Sequence, residues 1–306
     1  MAALRDKIKI ALDESRMLIL GTQILLGFQY RAAFEESFEQ FPRSSQLLEI
    51  PTLIMLLIAV ALLLSSGAYH RIVRGGSDAR DVHDFATRVM DLALVPFALV
   101  LSIDVYLVMR TLVGPIAAAT HGSLTGVTAF FFWYGFGLVS TSRRKSKSRS
   151  HELPGRASPT ELKDKIDHAL TEARVVLPGA QALLGFQLLT MLMQGFDKLP
   201  AASKYVHVAS LSLMAFSVIL LMTPAAYHRI VEEGEQTQRF HDIASRFLIA
   251  AMVTLPLGIC GDLYVVVQKV THSITIALIF SIIVLSFFYG LWFGFTLYRR
   301  KQISED

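Results

Sequence analysis

Ala68-Tyr69-His70-Arg71-Ile72-Val73 returns unchanged as Ala226-Tyr227-His228-Arg229-Ile230-Val231, an offset of 158 residues. The offset holds well beyond this stretch. Upstream, Leu25-Leu26-Gly27-Phe28-Gln29 falls on Leu183-Leu184-Gly185-Phe186-Gln187, and Glu14, Arg16 and Gln23 fall on Glu172, Arg174 and Gln181. Downstream, His83-Asp84 falls on His241-Asp242, and Asp104 and Tyr106 fall on Asp262 and Tyr264. A repeat of this length is one structural unit made twice, so the architecture is read from the unit.

The unit is apolar. Residues of hydrophobic type make up 53% of the 306-residue chain and charged ones 18%, against about a quarter charged in soluble domains. Mean hydropathy is +0.49. Predominantly apolar runs of about 20 residues recur, the length that crosses a hydrocarbon core. They lack the alternation of barrel strands. The sequence therefore predicts an all-α polytopic membrane protein.

Each unit offers four spans. They are predicted near 16–34, 50–69, 85–109 and 116–139, and again near 174–196, 206–227, 243–267 and 274–297. Residues 1–139 form the first four-span unit, 140–159 a basic Ser/Arg/Lys-rich linker, and 160–306 the second unit. Basic residues set the orientation. Arg5, Lys7 and Lys9, the loop with Arg71, Arg74 and Arg80, the linker with Arg143 and Arg144, and the tail with Arg299 and Arg300 all fall on one side. The positive-inside rule puts that side, and both termini, in the cytoplasm of a cell (inner) membrane. An even span count points both units the same way, with a pseudo-two-fold axis along the membrane normal.

Composition excludes other classes. The net charge of +4 gathers in loops and the linker, where it orients the chain rather than marking a nucleic-acid surface. Cys260 stands alone, so no disulfide or thiolate metal site follows. No nucleophile–base pattern, phosphate loop or tight metal spacing is present, so neither an enzyme nor a required cofactor is expected. The partners expected are the lipid bilayer, a proton or inorganic ion, and further copies or other membrane subunits.

Polar residues inside apolar spans carry the candidate chemistry. Arg16, Gln23 and Gly27 share one face of the first span, and Glu14, Gly21 and Gln29 lie on roughly the opposite one. Arg174, Gln181, Glu172 and Gln187 repeat both faces. Amides in lipid need partners, so these are helix–helix bonds or the lining of a path. His70, Arg71, His228 and Arg229 close the second spans. There they complement the helix dipole, or titrate and hold an anion. His83-Asp84 and His241-Asp242 open the third spans. The aspartates suit a helix cap or a pair with Arg88 and Arg246. His70, His83, His228 and His241 are candidate metal ligands, His70 and His83 together with Glu14. Asp104 and Asp262 sit near the outer ends of the third spans, as headgroup-level or proton-carrying acids. Asp91 suits a local pair with Arg88, Pro178 suits a kink, and the aromatic runs ending the fourth spans suit a membrane-interface belt.

Ala169-Leu170-Thr171-Glu172-Ala173-Arg174-Val175, Gly185-Phe186-Gln187 and Pro224-Ala225-Ala226-Tyr227-His228-Arg229-Ile230 resemble an uncharacterised bacterial family of four-span membrane proteins. Unit two is the better match, since Ser65-Ser66-Gly67 stands in unit one where Thr223-Pro224-Ala225 stands in unit two. The resemblance implies a tandem duplication of that domain. Some of the family's members carry a sodium:proton antiporter label. Three functions follow as expectations: ion- or proton-linked transport through the paired polar residues, a haem- or metal-binding subunit of a redox complex, or an accessory subunit without transport.

Overall fold

The computed structural model describes residues 18–75, 79–135, 162–230 and 237–305. Glu14, Arg16 and the linker 140–159 lie outside them. The described residues are helical, with no strand among them. Unit one contributes α1 (18–32), α2 (Glu36–Glu39), α3 (Arg43–Arg74), α4 (Arg80–Val113) and α5 (Pro115–Phe130). Unit two contributes α6 (Leu162–Thr190), α7 (Gln194–Asp197), α8 (Ala201–Ile230), α9 (Gln238–Thr271) and α10 (Ile274–Tyr289), with α11 (Thr296–Glu305) after it. The helix order repeats, and α4 and α9 match end to end at the 158-residue offset.

Among the described residues, five helices are long and apolar enough to cross a membrane. They are α3, α4 to Arg110, α8 to Pro224, α9, and the rod from Ile274 to Ile303. Among the described residues the first helix of each unit is not one of these five. In α6 the apolar part is Val176–Thr190. The helices outrun the apolar stretches that announce them, because polar residues at each end still find intrahelical partners. Pro51, Pro96, Pro178, Pro224 and Pro256 all lie inside helices. Each forgoes one backbone bond, a loss that packed neighbours make tolerable.

Short connections set the geometry at one end. After α1 the chain turns through α2, and Gln46 Nε2 reaches back to the carbonyls of Phe38, Glu39 and Phe41 at 3.1–3.3 Å. Helix α9 ends on His272, whose φ of 56° is left-handed in a residue other than glycine. At the other end the expected aspartate caps do not form. Helices α4 and α9 begin four residues before Asp84 and Asp242, with Ala79 and Thr237 at the cap positions. Thr237 accepts from the Phe240 amide at 3.1 Å.

The fourth helix of each unit passes into a π turn, over Phe131–Gly135 and over Gly290–Phe295. Each turn holds a tryptophan, and the two have different surroundings. Trp133 stacks on Phe97 at 5.9 Å within its own unit. Trp292 is fully buried and donates Nε1–H to the Ala61 carbonyl of α3 at 2.8 Å. The belt expectation fails for Trp292, which anchors one unit in the other. Tyr30 bonds the Ile259 carbonyl at 2.8 Å, and Arg71 bonds Ser245 at 2.7 Å, also between units. Phe28 and Phe186, equivalent positions, meet with ring centroids 4.7 Å apart.

Candidate functional site

The first and third helices of each unit are joined by one hydrogen bond, partly buried in unit one and buried in unit two. Gln29 Nε2 donates to Asp104 Oδ1 at 2.7 Å. Gln187 Nε2 donates to Asp262 Oδ2. The partners are 75 residues apart in both units. An amide N–H on a carboxylate suits a dry site, because the acid accepts and the amide donates. The first and third helices thus bring together residues the sequence singled out one by one.

A third ionisable residue joins each pair from the second helix, and it differs between units. Glu49 is 4% exposed and within electrostatic reach of Asp104. Its counterpart at the same offset is His207, 3% exposed. His207 Nδ1 lies 3.0 Å from Asp262 Oδ1, and Nε2 lies 3.1 Å from the Gln187 carbonyl. A carbonyl only accepts, so Nε2 carries hydrogen and the titrating proton lies on the Asp262 side. Unit two therefore holds an imidazole–carboxylate pair, and unit one holds two carboxyls.

Sequence reasoning missed both Glu49 and His207. A comparison that keeps identical residues discards positions that diverge, and this position diverged. Reading the common offset at every polar residue finds it.

The site of unit two is closed by unit one. Tyr30 of α1 and Phe34 in the turn after it join Gln187, Thr190, His207 and Asp262 around a small cavity of about 10 Å³, room for about one water molecule. Above it, Lys269 Nζ lies over the rings of Phe34 and Phe38, and 3.4 Å from Glu39. Lys198 grips the same carboxylate at 2.6 Å. That hydrogen bond to Lys198 holds the Glu39 carboxyl below its ordinary value, and Glu39 raises the Lys198 ammonium in turn.

The remaining predicted residues disperse. Gln23 is fully buried with neither amide atom bonded, pressed against Gly179. Gln181 is exposed, so the two glutamines have unlike surroundings. His70 and Arg71 are buried, and Arg71 reaches Ser245 rather than water. Tyr69 bonds Asp81 at 2.9 Å, and Arg74 pairs with the same acid at 2.9 Å. His83 and His241 each lie 3.4 Å from the neighbouring Asp84 or Asp242. No group of three or more ligating residues capable of holding a metal occurs among the described residues. The pairs expected of Arg88 with Asp84 or Asp91 are absent among them. Asp84 and Arg88 instead line an open pocket with Arg299, and the Asp91 carbonyl accepts from Tyr134. The side chains of Glu172, Arg174, His228 and Arg229 lie outside the described ones.

Comparison with protein families assigns both halves alike. A family of unknown function, DUF6328, matches residues 5–136 and again residues 158–296. The chain belongs to this family. The DUF6328 domain occurs twice, as a tandem duplication would leave it, so both Gln–Asp pairs lie within family domains. Comparison with curated proteins and with solved structures gives no match.

Proposed function

We propose that this protein moves protons across a membrane, alone or coupled to an ion. Gln29–Asp104–Glu49 and Gln187–Asp262–His207 are its two proton-binding stations. The observation that carries the reading is the same Gln–Asp bond in both units, each with a buried third titratable group at one equivalent position. Ionisable groups are expensive at membrane depth, and function is the usual reason they persist there. Two carboxyls in a dry site, or an imidazole beside one, take up and release a proton without a large change in structure.

The architecture that goes with this reading has eight spans, with α1, α5 and α6 completing the five long apolar helices. The repeated helix order supports two like-oriented four-helix units, and the basic residues gathered on one side go with both termini in the cytoplasm. The Phe28–Phe186 contact between equivalent positions lies where an axis between such units would pass.

Proteoliposomes carrying a pH-sensitive dye, with an imposed pH gradient, test the reading. Wild-type protein collapses the gradient, and the double variant Asp104→Asn, Asp262→Asn does so at least tenfold more slowly. Equal rates in the two, or no flux by either, overturn it. The rival reading takes the Gln–Asp bonds as structural ties between the first and third helices. It predicts lower thermal stability for that variant with flux absent throughout.

A further inference from the structure

The second unit is an internal control for a pocket in the first. In unit two, Ser203 Oγ donates to Gln268 Oε1 at 3.1 Å, and both residues are buried. That bond joins α8 to α9. The equivalent residues in unit one are Ser45 and Arg110. There the bond is not made, and a pocket of about 550 Å³ opens, lined by Gln40, Phe41, Ser45, Leu107, Val108 and Arg110. Its size falls within the usual range for small-molecule sites.

Two polar groups at this pocket lack what they need. Ser45 is 1% exposed and its hydroxyl has no partner. Arg110 donates to the Tyr106 hydroxyl and lies 5.8 Å from that ring's centroid. Among the described residues no carboxylate reaches it. A guanidinium has five N–H donors in a planar fork, a match for a carboxylate or phosphate. The rest of the wall is apolar: Phe41, Leu107 and Val108.

We propose that this pocket binds an amphiphilic anion, its carboxylate or phosphate head on Arg110 and Ser45 and its chain along Phe41, Leu107 and Val108. Arginine at position 110, where the other unit has glutamine, puts a cationic cleft in place of a buried polar contact. Ser45 is one helical turn from Glu49, so a bound head group lies close to the first unit's acid pair. The proposal does not depend on proton movement.

Equilibrium binding with no pH gradient tests it, on full-length protein in nanodiscs of zwitterionic phosphatidylcholine. The probes are radiolabelled oleate, dodecyl phosphate and inorganic phosphate. Oleate and dodecyl phosphate bind saturably, and inorganic phosphate binds at least tenfold more weakly. Arg110→Gln weakens amphiphile binding about tenfold or more, as loss of a charge-assisted pair does. Val108→Trp, at a largely exposed residue where folding is not at stake, blocks the cleft and also abolishes binding. Adding phosphatidylglycerol to the nanodiscs separates sources. Competition identifies a bilayer lipid as the occupant, and no competition identifies a free amphiphile. Absence of saturable binding, unchanged binding in both variants, or equal affinity for inorganic phosphate overturns the proposal.

Discussion

Glu49 and His207 stand at one position of one fold, 158 residues apart, each beside an aspartate held by a glutamine. The helices that carry them begin at equivalent residues, Arg43 and Ala201. One unit keeps two acids together and the other an acid with a base.

Removing the base is therefore costly. His207→Leu leaves Asp262 buried without its imidazole, and stability falls by about 3–5 kcal/mol, the range for an orphaned buried partner. His207→Glu reproduces the arrangement unit one already tolerates and costs less. Thermal unfolding of both variants in the same detergent checks the order. Equal losses would show that the surroundings, not the partner, set the cost.

Gly27 and Gly185 are equivalent residues with different surroundings. A Cβ at Gly27 would come 2.1 Å from the Phe186 ring, whereas one at Gly185 meets nothing within 4 Å. Gly27→Ala loses about 1–3 kcal/mol through overpacking. Gly185→Ala gains about 0.5–1 kcal/mol from helix propensity. Paired melting curves give both signs in one experiment, and a common sign contradicts the packing described.

The tryptophans of the two π turns differ in the same way. Trp292→Ala removes a fully buried ring and its bond to Ala61, and costs about 3–5 kcal/mol. Trp133→Ala removes a half-buried ring and costs less. With Trp133 replaced, the fluorescence left comes from Trp292 and peaks at short wavelength, as an indole shielded from water does. A long-wavelength peak would place that ring outside the core.

The Glu39–Lys198 pair gives a pH signature. The hydrogen bond from Lys198 holds the Glu39 carboxyl below the ordinary carboxylate value in the folded chain. Its contribution is complete above the unfolded carboxylate's value and disappears as pH falls through the lowered one. The stability difference between wild type and Glu39→Gln is therefore present at neutral pH and vanishes in acid. It also shrinks with added salt, because both groups meet solvent. A difference unchanged from neutral to acid pH would remove Glu39 from the clasp.

Much of this was legible in the sequence. The repeat, the helical class and all four residues of the two Gln–Asp bonds follow from identities at one offset, because shared chemistry leaves shared letters. What was hidden falls into two kinds. Glu49 and His207 carry different letters, so identity passes over them although position does not. The contacts between units, Trp292 with Ala61 and Tyr30 with Ile259, have no period and no motif. Packing of one copy on another depends on surface shape, and apolar surfaces in lipid read alike. Asp84 and Asp242 misled for a local reason. Their helices start four residues earlier, where Arg80 and Gln238 already take helical conformation.

The bond from Trp292 to Ala61 ties the end of the chain to its beginning, as do Tyr30 with Ile259 and Lys198 with Glu39. These ties owe nothing to the peptide that runs from one half to the other. Cut into two polypeptides at that tether and co-expressed, the halves retain every one of these mutual grips and reassemble as a heterodimer. Covalent fusion then contributes proximity and a fixed one-to-one ratio, so that each half meets its unlike partner rather than its own copy.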